Sequence, residues 1–244
     1  MAGRSHVVEA PRDSPWPLVF ELAAATPPGS WMLVGGLMVH LHALRAGVDA
    51  IRPTSDVDVL LDISSNSVLD VAGPLTSLGF SARTPSQGTP LHRFVRDDRD
   101  VVDVMVSRDV RTRTRWQRIP LLRSPGAAQA LMRRDVYTLT SGGDSAAVDV
   151  PDELGAIIAK SAAYSIDSRD PHRHLDDLAV LAAAAGTPRV LALDSLTRKD
   201  RSHLRRVLPR LSDDQHPSWR VLDQYDRALG QRVWRAISAA CSPG

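Results

Sequence analysis

Three aspartates carry the chemistry that this chain could perform. Asp56 and Asp58 lie two residues apart in Asp56-Val57-Asp58-Val59-Leu60-Leu61, a β-branched stretch that begins by alternating acidic and apolar residues. On a strand that spacing sends both carboxylates from one face, about 6–7 Å apart along the backbone, and turns Val57 and Val59 toward the core. Two hard oxygen donors converging in this way suit Mg²⁺, with Mn²⁺ as the alternative ion. Asp103 supplies a third carboxylate from Val101-Val102-Asp103-Val104-Met105-Val106, an apolar run where an unpaired charge is costly. Such a carboxylate needs a cation. It is either a metal ion shared with Asp56 and Asp58, as in sites where two ions sit about 3.5–4 Å apart, or one of the nearby arginines. An Asp-x-Asp pair is also at home in turns and on solvated faces, but here it opens a hydrophobic strand. Asp62 and Asp100 flank the same strands at positions that suit capping or turn roles.

The elements that must position these side chains follow from the surrounding pattern. Trp31 to Val34 is a short apolar strand ending in Gly35-Gly36, and Leu37 to Arg45 then repeats apolar residues at helical spacing until Gly47. Asp56 to Leu61 is a half-buried strand, and Ser67 to Leu78 a helix stopped by Gly79. His92 to Val95 and Asp100 to Val106 make a hairpin across Arg96-Asp97-Asp98-Arg99. Ser124-Pro125 predicts an N-cap for a helix over Gly126 to Arg134. Val136 to Thr140 and Ala146 to Val150 flank Ser-Gly-Gly-Asp, a second hairpin. Past Pro151 the pattern turns helical, over Asp152 to Ile166, Leu175 to Ala185, Asp200 to Leu208 and Ser218 to Ala240. The expected organisation is an α/β catalytic half at residues 15–150 and a helical half at 151–244, with residues 1–14 loosely ordered.

Composition is that of a globular protein, with 43% hydrophobic and 24% charged residues and no apolar run of the roughly 20 residues that span a bilayer. The first residues hold no apolar core of signal-peptide length, so a cytoplasmic protein without a membrane partner is the expectation. Cys241 alone excludes a disulfide framework or a cysteine metal cluster. The net charge of +2 does not demand nucleic acid, but its distribution is uneven. Arg108, Arg111, Arg113, Arg115 and Arg118 follow the Asp103 strand, and a second cluster runs from Arg198 to Arg210. Of 30 basic residues only Lys160 and Lys199 are lysine, which singles out Lys160 in its amphipathic helix. Trp116 among arginines is a candidate to stack a base, whereas Trp16, Trp31, Trp219 and Trp234 read as packing residues. His172-Arg173-His174 resembles a metal tract, but its histidines diverge at a helix start and no third ligand is evident.

Gly35-Gly36 at a strand-to-helix junction lets backbone approach a phosphate at the helix N-terminus. The order Gly35-Gly36, His40, Arg52-x-Thr54-x-Asp56-Val57-Asp58 and an apolar strand with Asp103 resembles the polymerase-beta-like nucleotidyltransferase superfamily. Within it the chain is most similar to the AbiEii-type toxin nucleotidyltransferases of bacterial toxin–antitoxin and abortive-infection systems. The later helix with Lys160, and Arg173-His174-Leu175-Asp176-Asp177-Leu178, resemble that family's lysine and its Arg-Lys-Asp-x-x-Asp-Leu stretch. Asp177 is the better match for the final aspartate and Asp176 the alternative; His174 stands where many members carry aspartate. The resemblance covers roughly residues 30–185.

The resemblance implies an α/β (α+β) fold, a mixed sheet flanked by helices with a helical C-terminal half. It also implies transfer of a nucleoside monophosphate from an NTP to an acceptor hydroxyl. Asp56, Asp58 and Asp103 would hold the metal, and Asp103 would accept the hydroxyl proton. Lys160, Arg52, Thr54 and the Gly35-Gly36 backbone would lie on the triphosphate, and Asp177 would complete the catalytic set. The implied acceptor is RNA, including tRNA, or a protein, with a cognate antitoxin as partner. A small-molecule acceptor, as in aminoglycoside adenylyltransferases, and a non-catalytic nucleotide-binding module are the competing readings.

Overall fold

Both aspartate-bearing runs become central strands, side by side in one sheet. The computed structural model describes residues 3–50, 52–63, 68–83, 90–107 and 115–242. Its strands are β1 (Ser5–Glu9), β2 (Trp31–Val34), β3 (Asp56–Leu61), β4 (Ser81–Ala82), β5 (Arg93–Arg96), β6 (Asp100–Ser107), β7 (Arg115–Trp116), β8 (Ile119–Pro120), β9 (Leu122–Ser124), β10 (Arg134–Ser141) and β11 (Asp144–Pro151). The α-helices are α1 (Trp16–Ala25), α2 (Gly35–Ala46), α3 (Leu69–Ser77), α4 (Ala127–Leu131), α5 (Glu153–Tyr164), α6 (His172–Ala185), α7 (Arg198–Leu204), α8 (Leu208–Leu211) and α9 (Gln224–Cys241).

The main sheet runs β1-β10-β11-β2-β3-β6-β5-β4, with β9 also beside β6. It is mixed: β3 pairs in parallel with β6, while β2 and β5 close that pair antiparallel on either side. Helices flank it, so the fold class is the one expected. Val57, Val59, Val102 and Val104 are wholly buried on one side of the pleat, which commits Asp56, Asp58 and Asp103 to the other. The helix α6, wholly apolar from Leu178 to Ala185, packs against α2, α5 and α9. The buried core is continuous from the sheet into these helices. No single helix among the described residues is long and apolar enough to cross a membrane.

Several expectations are corrected. The sequence pattern leaves residues 1–14 loose, yet Ser5–Glu9 is an edge strand parallel to β10. Its alternation is too short to register in sequence, and long-range bonds secure it: Arg4 forks onto Asp135 and also reaches Glu153. Helix α1 was not expected at all. Ser124 is the last residue of β9 rather than an N-cap; Gly126, left-handed at φ 77°, precedes α4, which ends before Arg134 enters β10. The last two predicted helices are each broken. Pro209 opens a new short helix after α7, and Asp223 caps α9 by accepting the Asp226 N–H, after a separate 3-10 turn at Pro217–Val221. The expected start of α3 at Ser67 lies outside the described residues.

The C-terminal half is tied to the sheet through Glu153, 1% exposed at the start of α5 and paired with Arg4 and Arg45. Burial pushes its carboxyl up, but the Arg4 hydrogen bond and surrounding positive charge outweigh that and hold it at about 2. With a folded pKa below the unfolded value, this pairing stabilises the protein above pH ~4.5 and is lost as the pH falls toward 2. Glu153→Ala takes the carboxylate from Arg45 and leaves Arg4 with Asp135 alone; it should cost about 3 kcal/mol at neutral pH, with the deficit shrinking in acid. Urea denaturation of both proteins at pH 7 and pH 3 checks this; an equal deficit at both values would contradict it.

Candidate active site

Across four strands one row of side chains reads Val34, Asp58, Asp103, Arg93, each opposite the next in register. Asp56 lies two residues along β3 on the same face. The sheet therefore brings the three predicted carboxylates together, with Asp58 and Asp103 direct neighbours across about 4.8 Å of strand spacing. That crowding shows in Asp58. Burial, then the charge of Asp103 and that of Asp56, push its carboxyl up to about 6, against the opposing pull of Lys160 and a hydrogen bond from the Gly36 backbone.

The Gly35-Gly36 turn is built around that carboxylate. Gly35 is left-handed at φ 69°, and a Cβ there would stand 1.8 Å from the Asp58 Oδ2 atom. A Cβ at Gly36 would meet Thr54 Oγ1 at 2.8 Å. Any side chain at either position displaces a site residue, which accounts for both glycines at the start of α2. One turn into α2, buried His40 donates from Nε2 to the Arg52 carbonyl at 2.6 Å, pinning the loop that carries Arg52 and Thr54. Burial lowers the His40 pKa, so the ring is a neutral strut. Trp16 of α1 lies beside it, with ring centroids 6.4 Å apart.

Lys160 and Asp177 face one another from α5 and α6. Lys160 Nζ donates to Asp177 Oδ2 at 2.6 Å, both side chains being buried, and Arg52 Nε stands 3.7 Å from the other Asp177 oxygen. Lys160 is thus held by a carboxylate rather than standing as a free point charge. It is Asp177 that pairs with Lys160 and Arg52, while Asp176 is half-buried. His174, one turn earlier on α6, donates from Nε2 to Asp167 at 3.0 Å, and burial brings its pKa down to about 4. His172 is exposed, so the two histidines do diverge.

The residue missed in sequence is Arg93. Its guanidinium forks onto Asp103, Nε to Oδ1 at 2.9 Å and Nη2 to Oδ2 at 2.7 Å, and Nη2 also reaches Asp56 Oδ2 at 2.9 Å. The hairpin register hid it. A loop of Arg96 to Arg99 pairs Val95 with Asp100 and sets Arg93 against Val102, on the wrong face. The actual turn takes Asp97 and Asp98 left-handed, at φ 52° and 51°, and pairs Arg96 with Asp100, one residue over. A slip of one flips every side chain. Asp100 and Asp62, set aside as end residues, pair with Arg96 and Arg134 respectively.

Among the described residues, no group of three or more His, Cys, Asp or Glu side chains stands arranged to hold a metal ion. Arg93 occupies the Asp56 and Asp103 oxygens that such a group would use. No family model matches the chain, and no curated protein matches it. Among solved structures it is similar to an antigenic nucleotidyltransferase-like protein from Paracoccidioides brasiliensis, at 15% identity and a TM-score of 0.43, over 73% of this chain and 79% of that one.

Arg108, Arg111 and Arg113 lie outside the described residues, while Arg115 and Arg118 are exposed around the β7–β8 turn. Trp116 leans on Phe94, with ring centroids 6.4 Å apart. Gly35→Ala should cost at least about 2 kcal/mol, from left-handed strain and displacement of the Asp58 carboxylate. Urea denaturation measures the loss, and a variant as stable as the wild type would show that the turn does not seat Asp58.

Proposed function

We propose that this chain is a metal-dependent nucleotidyltransferase that moves a nucleoside monophosphate from an NTP to an acceptor hydroxyl. The observation that carries the reading is the register pairing of Asp58 with Asp103, with Asp58 seated on the Gly35-Gly36 turn. Crowded carboxylates at the N-terminus of a helix are costly for folding, and a cation with a polyphosphate relieves them.

The donor types suit a hard divalent ion: three carboxylates share one sheet face, Asp56 and Asp103 bonded to Arg93 and Asp58 pushed up to about 6 by burial and by its acidic neighbours. Asp58, with Asp56 and Asp103, would hold it. Bound Mg²⁺ or Mn²⁺ would supply charge neutralisation at the transferred phosphate and acidify the attacking hydroxyl. The Gly35-Gly36 backbone and Thr54 would orient the triphosphate at the start of α2. Arg52, half held by Asp177, extends positive charge toward it. In the transfer an acceptor oxygen bonds to the α-phosphorus, the bond from that phosphorus to the bridging oxygen breaks, and pyrophosphate leaves. The acceptor's proton would pass to a site carboxylate. Positioning and charge carry such a reaction, since the protein itself forms no bond.

For the acceptor we propose an RNA hydroxyl, supported by the exposed Arg115 and Arg118 of the β7–β8 turn, whose Trp116 packs on Phe94 of β5. The AbiEii-type toxin role, and with it a cognate antitoxin, rests on the sequence likeness at Gly35-Gly36, Arg52-x-Thr54-x-Asp56-Val57-Asp58, Lys160 and Asp177. Incubation with each α-labelled NTP, Mg²⁺, total RNA and the protein itself tests both the activity and the acceptor. Label appearing in RNA is expected; label in the protein or in an added aminoglycoside would redirect the acceptor. Label in none of them would remove the activity.

Asp58→Asn separates function from folding. It should reduce transfer at least a hundredfold. Because the Asp58 pKa is raised in the folded state, ionised Asp58 lowers stability as the pH rises from about 3.8 through about 6. In the chelator-treated protein Asp58→Asn should therefore melt higher than the wild type above pH 6, and the gap should close toward pH 4. Melting curves against pH in EDTA, beside the transfer assay, check both halves. Near-wild-type transfer by the folded variant would sink the assignment.

A further inference from the structure

We infer that Arg93 takes the place of one of the two cations in a carboxylate-clamped transfer site, so that this chain binds a single divalent ion, on the Asp58 side. This rests on the nucleotidyl-transfer reading above. Four carboxylate oxygens are already engaged. Arg93 takes both of Asp103 and one of Asp56, and Ser55 Oγ donates to the remaining Asp56 oxygen at 2.6 Å. Asp58 instead accepts from the Gly36 backbone, and its carboxylate faces the glycine turn.

Arg93 is placed by the sheet rather than by reach. It is the register partner of Asp103 on β5, so its position is as rigid as the β5–β6 ladder. A guanidinium does not deprotonate and matches a carboxylate with two parallel bonds. Unlike a bound ion it cannot leave the site. Three carboxylates against one guanidinium leave a double negative charge, which one divalent ion neutralises. Arg93 is also a third exposed, as is Asp56, so the built-in cation stands at the open side of the carboxylate row where a phosphate would arrive. It is a positioning residue for the carboxylates and a charge for the substrate.

Counting manganese tests this. The full chain is crystallised with Mn²⁺ and a non-hydrolysable NTP, and anomalous scattering counts the ions on Asp56, Asp58 and Asp103; Mn²⁺ paramagnetic resonance gives the count in solution. The wild type should hold one ion there and Arg93→Met two. Arg93→Gln removes the charge and the Nη2 contacts but leaves an amide donor near the Nε position; it should also hold two, which covers poor folding of the methionine variant. Two ions in the wild type, with Arg93 moved off Asp103, would overturn the inference and leave the nucleotidyl-transfer reading standing. One ion in the wild type and in both variants would overturn it as well. No ion in any of them would overturn the metal-dependent reading and this inference with it.

Discussion

Asp58 and Asp103 sit side by side on parallel central strands, and two ionised carboxylates at that distance in a poorly solvated sheet face repel by several kcal/mol unless a cation intervenes. The rest of the site is arranged around this crowding. Arg93 compensates Asp103 and Asp56. Lys160, though bonded to Asp177, still draws the Asp58 pKa down, as does the Gly36 backbone. These partners do not cancel the repulsion at Asp58, whose carboxyl stays raised.

The same logic explains why rigid and small elements surround the carboxylates. The strands carry them, so their separation is set by backbone hydrogen bonding. Gly35 and Gly36 leave room for Asp58 and Thr54 where any Cβ would intrude. His40, neutral and buried, holds the Arg52 carbonyl and so the loop that delivers Arg52 and Thr54. The helical half contributes Lys160 and Asp177 from two packed helices, and Glu153 locks the first of these to the edge strand through Arg4. Groups some 150 residues apart in sequence thus share one electrostatic neighbourhood.

How much of this could be read in the sequence depended on whether the signal was local. The period-two pattern around Asp56 and Asp103 placed both strands, and the glycine pair marked the turn between β2 and α2. Asp152 and Gly47 marked helix ends for the same reason, as each acts on its own neighbours. Arg93 escaped because its role depends on a hairpin register that turns on the left-handed Asp97 and Asp98. Strand β1 escaped because its bonds run to Asp135 and Glu153, far along the chain. For Asp103 sequence left two partners open, a metal or an arginine; the structure supplies the arginine and leaves Asp58 as the carboxylate in search of a cation.

That leaves a direct thermodynamic consequence. Ligands that bind only the folded state raise its stability by mass action, about 2.7 kcal/mol at a hundredfold excess over the dissociation constant. The measurement is the melting temperature of the wild type with Mg²⁺ and a non-hydrolysable analogue of each of the four NTPs, beside Mg²⁺ alone. If the carboxylate row is a nucleotide site, at least one analogue with Mg²⁺ raises the melting temperature by several degrees, well beyond Mg²⁺ alone, and Asp58→Asn loses the effect. An unchanged melting temperature with all four would mean that the crowded carboxylates serve something other than nucleotidyl transfer.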